Sequence, residues 1–189
     1  MTAKYKIEEK LIQTIGQMKS EQQLLLLVKV VQSIPLNKIF PPKDYALLSE
    51  ATQILEGAIS NNINNQQFES YLSLLANKCE QVFNRSKTTP HLIHDTHKLQ
   101  STASATDAIY ASLELAYHIK NKKQCPINTM HVINNIQKCI QQVFDQEDRT
   151  MTFLEMTLND AQIILKVKEK HETIQPHKST GEIVHFPKN

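Results

Sequence analysis

The residues best suited to chemistry are three histidines and an aspartate within one short stretch, His91, His94, Asp95 and His97. On a helix, His91, His94 and Asp95 share one face because of their three- and four-residue spacing, whereas His97 joins His94 alone. Imidazole and carboxylate groups bind metal ions at about 2.0 to 2.2 Å, and one helix rarely supplies more than two such ligands. A partner helix would have to add His118, Glu114 or His131. The group therefore predicts a metal site if such helices meet, and otherwise a solvated polar face.

His94 and Asp95 also resemble the core of the HD phosphohydrolase motif, in which a paired His and Asp bind a metal that activates water. The resemblance covers the local stretch Leu-Ile-His-Asp-Thr-His-Lys-Leu. An enzyme of that class needs a further histidine on an earlier helix, and no histidine precedes His91. The sequence therefore does not predict this hydrolase activity.

A different interpretation starts from His97, which is followed by Lys-Leu-Gln-Ser-Thr-Ala. This stretch resembles the phosphoacceptor segment of histidine phosphotransfer domains, His-x-Leu-Lys-Gly-Ser-Ala, and the resemblance implies that His97 accepts a phosphoryl group in a phosphorelay. Transfer requires a nearby cation and a glycine that lets the receiver's aspartate approach. Gln100 replaces the lysine, and Ser101 replaces the glycine. We therefore predict that His97 is not a phosphoacceptor, and phosphotransfer stays open as an alternative.

The three cysteines, Cys79, Cys125 and Cys139, are far apart and form no Cys-x-x-Cys pair, which is typical of reduced thiols. Cys79 and Cys139 fall in apolar stripes, where a thiolate is unfavourable, so neither is predicted to be a nucleophile. The three glycines are isolated, whereas phosphate-binding loops need clustered glycine. The sequence predicts no bound cofactor.

Composition argues against nucleic-acid and membrane partners. Lysine and arginine number 21 against 19 aspartate and glutamate, and a formal net charge of +2 provides no electrostatic surface for nucleic acid or anionic lipid. The first residues alternate in charge and lack the apolar stretch of a signal peptide. The longest apolar run, Leu24 to Val28, is far shorter than the roughly 20 residues that span a bilayer. We therefore predict a cytoplasmic protein.

The elements that must position these residues are helices, because apolar side chains recur at three- and four-residue spacing and seldom alternate as in strands. The pattern predicts an all-α, single-domain bundle of about six or seven helices over residues 1–172. An extended C-terminal tail is predicted over residues 173–189, where Pro176 and Gly181 interrupt any apolar period.

Two specific predictions concern individual helices. The stretch from Ser20 to about Ile34 is apolar on most sides and is predicted to be the central helix, with Ser20 and Gln23 spaced as a capping box at its start. The hydroxyl-rich segment 101–106 predicts a bend or break in a later helix, because short hydroxyl side chains compete for backbone hydrogen bonds. Leu27 and Ile136 are predicted to be buried in the core.

Four stretches in chain order carry a family resemblance. They are Leu11-x-x-x-Ile15 with Ser20 and Gln23, the connector with Pro35, Asn37 and Phe40, the helix from Thr106 to Leu115, and the ending Ser179-Thr-Gly-Glu-Ile183. Their order resembles the YjaG-like family, a bacterial domain of unknown function with an all-helical fold. The resemblance implies a helical, cytoplasmic, bacterial protein and no particular site residues.

These features together predict a protein-interaction or assembly module without catalytic activity, which binds a protein partner or a second copy of itself. Two alternatives stay open. One is a phosphotransfer protein that uses His97, and the other is a metal-binding protein that uses His91, His94, Asp95 and His97.

Overall fold

A computed structural model of the chain describes residues 3–40, 42–59, 63–88, 93–123, 125, 127–144 and 146–172. Within these ranges, only the backbone is described at residues 42–44, 82–83, 85–88, 93–98, 147 and 167–172. The predicted C-terminal tail, residues 173–189, lies outside the described residues.

The described residues fold into helices without a strand, which confirms the all-α prediction. The eight helices of this part of the chain are α1 (Ala3–Gly16), α2 (Ser20–Gln32), α3 (Leu36–Ile39), α4 (Pro42–Ile59), α5 (Asn65–Thr88), α6 (Ile93–Lys120), α7 (Thr129–Phe144) and α8 (Glu147–Glu172). This is one helix more than the upper predicted number of seven. The additional helix is α3, a single turn that forms within the proline-containing connector. None of the described helices is long and apolar enough to cross a membrane.

Helix α2 packs against four helices, α4, α6, α7 and α8, so it is covered on most sides as predicted. Leu26 and Leu27 are completely buried, because a helix with apolar residues on nearly every side is stable in water only when other helices cover it. The polar Gln22 is also buried, and its Nε2 donates to the carbonyl oxygen of Ile164 on α8 at 3.1 Å. This bond satisfies a polar group that would otherwise be costly inside the core.

The start of α2 is capped one residue earlier than the sequence suggested. Lys19, rather than Ser20, is the N-cap residue. Its backbone N–H donates to Oε1 of Gln22 at 2.9 Å, while Nε2 of Gln23 donates to the carbonyl oxygen of Met18. The predicted capping box of Ser20 and Gln23 is therefore wrong. Because Gln22 and Gln23 are adjacent, a capping box could pair Gln22 with Lys19 or Gln23 with Ser20, and the spacing alone does not distinguish the two pairs.

The pair α6 and α7 forms the most extensive helix contact of the bundle. Alanines on the buried face of α6 allow a close approach to Ile133, Ile136 and Cys139 of α7, all of which are completely buried. Helix α6 continues without interruption through residues 101–106, so the break that was predicted as an alternative to a bend is wrong. Thr106 Oγ1 donates to the carbonyl oxygen of Thr102 at 2.8 Å, a bond back along the helix that leaves the backbone ladder intact.

Candidate functional site

Three residues of the predicted histidine group lie at the start of α6, and the side chains of all four lie outside the described part of the chain. His91 precedes the described part of this helix, and only the backbone is described at His94, Asp95 and His97. The metal site and the phosphoacceptor assigned to these residues therefore stay predictions. Ser101, which occupies the position of the phosphotransfer glycine, is buried, so its side chain does not lie on a surface that a receiver domain contacts.

The three residues expected to complete that group on a partner helix have other neighbours. The ring of His118 packs edge-on against Tyr117, with the ring centroids 5.9 Å apart, and its buried Nδ1 has no hydrogen-bond partner. Besides burial, the negative charge of Glu114 contributes to a raised pKa of Tyr110, and His131 contacts Asp107. Within the part of the chain that the structure describes, no three His, Cys, Asp or Glu side chains form a group able to hold a metal ion.

One candidate site is an apolar groove between α2, α7 and α8, here named the α2–α8 groove. Its volume is about 480 Å³, and its lining residues are Lys29, Val30, Ser33, Pro35, Ile140, Phe144, Arg149, Thr152, Phe153, Met156, Thr157 and Asp160. Met156 is 62% exposed, and Ile163, two turns further along α8, is 50% exposed. Met156 therefore leaves an apolar side chain accessible at the edge of the groove.

The two ends of the groove carry different charged side chains. Along one side, Lys29 Nζ and Asp160 Oδ1 form an ion pair at 3.2 Å. At the other end, two cations lie near the ring of Phe144, with Lys38 Nζ 4.7 Å and Arg149 Cζ 4.2 Å from the ring centroid. Arg149 donates from Nε to Gln146 Oε1 at 2.9 Å. The groove therefore combines apolar lining residues with the guanidinium group of Arg149 beside Phe144.

The second candidate site is a polar cluster of Asp107 on α6 with His131 and Asn135 on α7, here named the α6–α7 cluster. His131 Nε2 lies 3.2 Å from Asp107 Oδ2, and Asn135 Nδ2 lies 3.1 Å from His131 Nε2. Asn135 also contacts Asp107 Oδ2 through the same Nδ2. The cluster thus brings one atom from each of three side chains into mutual contact.

A pocket of about 480 Å³ opens beside the α6–α7 cluster, and Cys79, Glu80, Ala103, Ser104 and Lys138 line it together with Asp107 and Asn135. Burial raises the pKa of the Cys79 thiol to about 11, and the negative charge of Asp107 adds to the shift. The pKa of Tyr110 is also raised, mainly by burial and then by the charge of Glu114. These shifts keep both groups protonated at neutral pH, so neither is an activated nucleophile.

The other two cysteines also have raised pKa values. Burial raises the pKa of the Cys139 thiol to about 12 and also raises that of Cys125 in the loop before α7. Each unit of pKa above the ambient pH lowers the reactive thiolate fraction about tenfold.

We expect iodoacetamide at pH 8 to label Cys125 before Cys79, and to label Cys139 only after unfolding. The reason is that Cys139 is completely buried in α7 and has the highest pKa of the three. Raising the pH should speed the reaction at Cys79 about tenfold per unit, because a thiol with a raised pKa gains thiolate until its pKa is reached. Peptide mapping by mass spectrometry would show the order in which the three cysteines are labelled. Labelling of Cys139 in the native protein at the rate of Cys125 would contradict the packing of α7.

No protein-family model matches the chain, and no curated protein or solved structure matches it at a significant level. The groove and the cluster are therefore interpreted from their own chemistry. The resemblance to the YjaG-like family stays a prediction.

Sequence reasoning missed both candidate sites. The four-residue spacing of His131 and Asn135 places them on one face of α7 and is visible in the sequence. The third member, Asp107, comes from the preceding helix, so the cluster depends on how α6 and α7 are aligned. The groove is assembled from three helices and the connector that follows α2, and no single stretch carries its pattern.

Proposed function

We propose that the protein is an interaction module that binds the apolar face of an amphipathic segment of another protein in the α2–α8 groove. The observation that supports this most directly is the exposure of Met156 at the edge of an apolar groove. Methionine is unbranched and adaptable, and it is common on surfaces that bind helices through their apolar faces. This proposal agrees with the sequence-based prediction of an interaction or assembly module, which included a cytoplasmic location.

The charge of the groove supports a particular partner chemistry. Lys29 is already paired with Asp160, whereas the cations of Lys38 and Arg149 each lie near the ring of Phe144. A partner segment with an acidic side chain at this end would form charge-assisted contacts there, in addition to apolar burial along the groove. We therefore propose an apolar segment with at least one acidic residue as the occupant.

Covalent catalysis by the cysteines has little support, because burial holds the pKa of both Cys79 and Cys139 far above neutral pH. Phosphotransfer through His97 and metal binding by His91, His94, Asp95 and His97 stay alternative predictions. No described side chain favours either of them over the groove.

The proposal is tested by site-specific photocrosslinking. A benzoylphenylalanine placed at position 156 is expected to form an adduct with one protein in the producing cells, whereas the same group at Leu74 should not. Leu74 is a matched control because it is an exposed apolar residue of α5, which does not line the groove. The partner identified from the adduct is then purified for binding measurements.

We expect Met156→Asp to weaken binding of the purified partner about thirtyfold, which corresponds to about 2 kcal/mol, because it places a charge where an apolar contact is buried. Leu74→Asp should leave the affinity unchanged. Equal effects of the two variants, or no adduct specific to position 156, would contradict the proposal. An adduct with the protein's own chain would assign the groove to a second copy or to residues 173–189 instead.

A further inference from the structure

A cavity separate from the α2–α8 groove opens where the first two turns of α2 meet the last turns of α4 and α6, three helices that pack against one another. It is here named the α2–α4–α6 cavity. Its volume is about 420 Å³, near the lower end of the range of about 300 to 1,000 Å³ that is usual for small-molecule pockets. Its apolar lining residues are Leu24, Leu25, Ala58, Ile59 and Ile119.

The apolar lining of this cavity is incompletely covered. Ile59, the last residue of α4, is 40% exposed, and Leu25 and Ile119 are only partly buried. One residue from each of the three helices therefore leaves apolar surface open around the same space. An apolar group that filled the cavity would remove this surface from water, which is favourable.

Lys122, which also lines the cavity, has an unusual backbone conformation. Its φ is 53°, and in the part of the chain that the structure describes no other residue except glycine could share this sign, since Lys122 alone among non-glycine residues has a positive φ. Its backbone N–H donates to the carbonyl oxygen of Ile119 at 3.2 Å, and that of Lys123 donates to the carbonyl oxygen of His118 at 2.9 Å. These two bonds form a Schellman motif, whose left-handed position favours glycine. A side chain kept at a strained position points to a role for that side chain.

The three lysines at the end of α6 differ in their partners. Nζ of Lys120 donates to the carbonyl oxygen of Ile63. Nζ of Lys123 lies 5.6 Å from the centroid of the Tyr117 ring. The ammonium group of Lys122 forms no ion pair or hydrogen bond with any residue that the structure describes. Lys122 is therefore the lysine of this group that is open to a ligand.

We propose that the α2–α4–α6 cavity binds a fatty acid, with the chain among the apolar lining residues and the carboxylate paired with Lys122. Two lysines and one glutamate, Glu21, line the cavity, so their formal charges sum to +1 and one carboxylate balances them. A carboxylate and an ammonium group form a charge-assisted hydrogen bond, which is stronger beside apolar walls than in bulk water. The small volume favours one chain over the two chains of a phospholipid.

The test is a calorimetric titration of the full chain with hexanoate, octanoate and decanoate. We expect one equivalent to bind. The affinity should rise about fourfold for each added methylene group until the cavity is full, because burial of a methylene group contributes about 0.8 kcal/mol.

The head-group contact is tested by comparing octanoate with octanol, which has no charge. Lys122→Gln should weaken binding of octanoate about tenfold and leave the affinity for octanol unchanged. Lys123→Gln is the matched control, because it removes the adjacent ammonium group, which does not line the cavity. It should leave both affinities unchanged. Equal effects of the two lysine substitutions on octanoate would overturn the proposal.

The apolar wall is tested with Ile59→Asn, which should weaken octanoate and octanol by the same factor, about tenfold. Because Ile59 is 40% exposed, this variant should keep the fold, and circular dichroism checks that it does. Absence of binding by all three carboxylates, or an affinity for octanoate that Ile59→Asn does not change, would also overturn the proposal.

Lys122→Gly provides a readout that a purely structural lysine would not show. The variant should melt at a temperature about 2 to 4 °C higher than the parent, because glycine adopts the left-handed conformation without strain. It should nevertheless bind octanoate about tenfold more weakly, because the cation is lost. A variant that is more stable and binds octanoate as tightly as the parent would show that Lys122 does not hold the carboxylate.

Discussion

Ile136→Ala is expected to lower the free energy of unfolding by about 2 to 5 kcal/mol. Ile136 is completely buried on α7, the helix that packs against α2, α6 and α8, so the truncation leaves a cavity at a junction of four helices. Close packing of α6 against α7 limits how far the neighbours can relax into that space. In a chain of this size the loss corresponds to a decrease of about 4 to 20 °C in the melting temperature.

Leu27→Ala should have an effect of the same size, because Leu27 is completely buried on the central helix α2. The matched control is Asn134→Ala, an exposed position on α7 where the free energy should change by about 0.5 kcal/mol or less. Urea and thermal unfolding followed by circular dichroism would measure all three variants. If neither Ile136→Ala nor Leu27→Ala shifts the midpoint by more than about 2 °C, the assigned helix faces are wrong.

Burial along the helices was predictable because apolar spacing reports directly which face of a helix is covered. On α7, Ile136 was predicted to lie in the core and Cys139 to lie in an apolar stripe, and both are completely buried. On α2, an apolar surface too wide for one stripe predicted a helix covered on most sides, and four other helices do cover it. In both cases the periodicity depends only on neighbours along the chain.

Hydroxyl side chains were harder to interpret from sequence, because the same group can compete with the helix or support it. The predicted break at residues 101–106 rested on competition for backbone hydrogen bonds. In the structure, Thr106 and Ser112 instead donate to carbonyl oxygens one turn earlier, at 2.8 Å and 2.6 Å, and α6 continues. Tertiary packing against α7 decides between the two outcomes, and local composition does not contain that information.

The candidate sites were not predictable for a related reason. Asp107 and His131 lie on different helices, and a shift of one helix past the other by a single turn would separate them by about 5.4 Å. The sequence analysis considered His131 only as a partner for the histidine group at residues 91–97. Its observed partner depends on the alignment of α6 and α7, which no pattern within either helix specifies.

The junction of α5 and α6 is held by Phe68, the bulkiest of the completely buried side chains described. Its ring centroid is 6.1 Å from that of Tyr117 on α6, and Lys120 Nζ lies 5.6 Å from the Phe68 ring. Local hydrogen bonds place it at the start of α5. The backbone N–H of Gln67 donates to Asn64 Oδ1 at 2.8 Å, and that of Asn64 donates to Gln67 Oε1 at 3.3 Å, which is a reciprocal cap.

Phe68→Ala should therefore lower the free energy of unfolding by about 3 to 5 kcal/mol, because it removes both the buried ring and its contact with Tyr117. Asn64→Ala, which removes the cap and leaves the ring in place, should cost only about 1 kcal/mol. Phe68→Leu should fall between the two, since it retains part of the buried volume. Urea unfolding of the three variants measures this order. A loss in Phe68→Ala no larger than that in Asn64→Ala would show that the cap, and not the buried ring, holds α5 against α6.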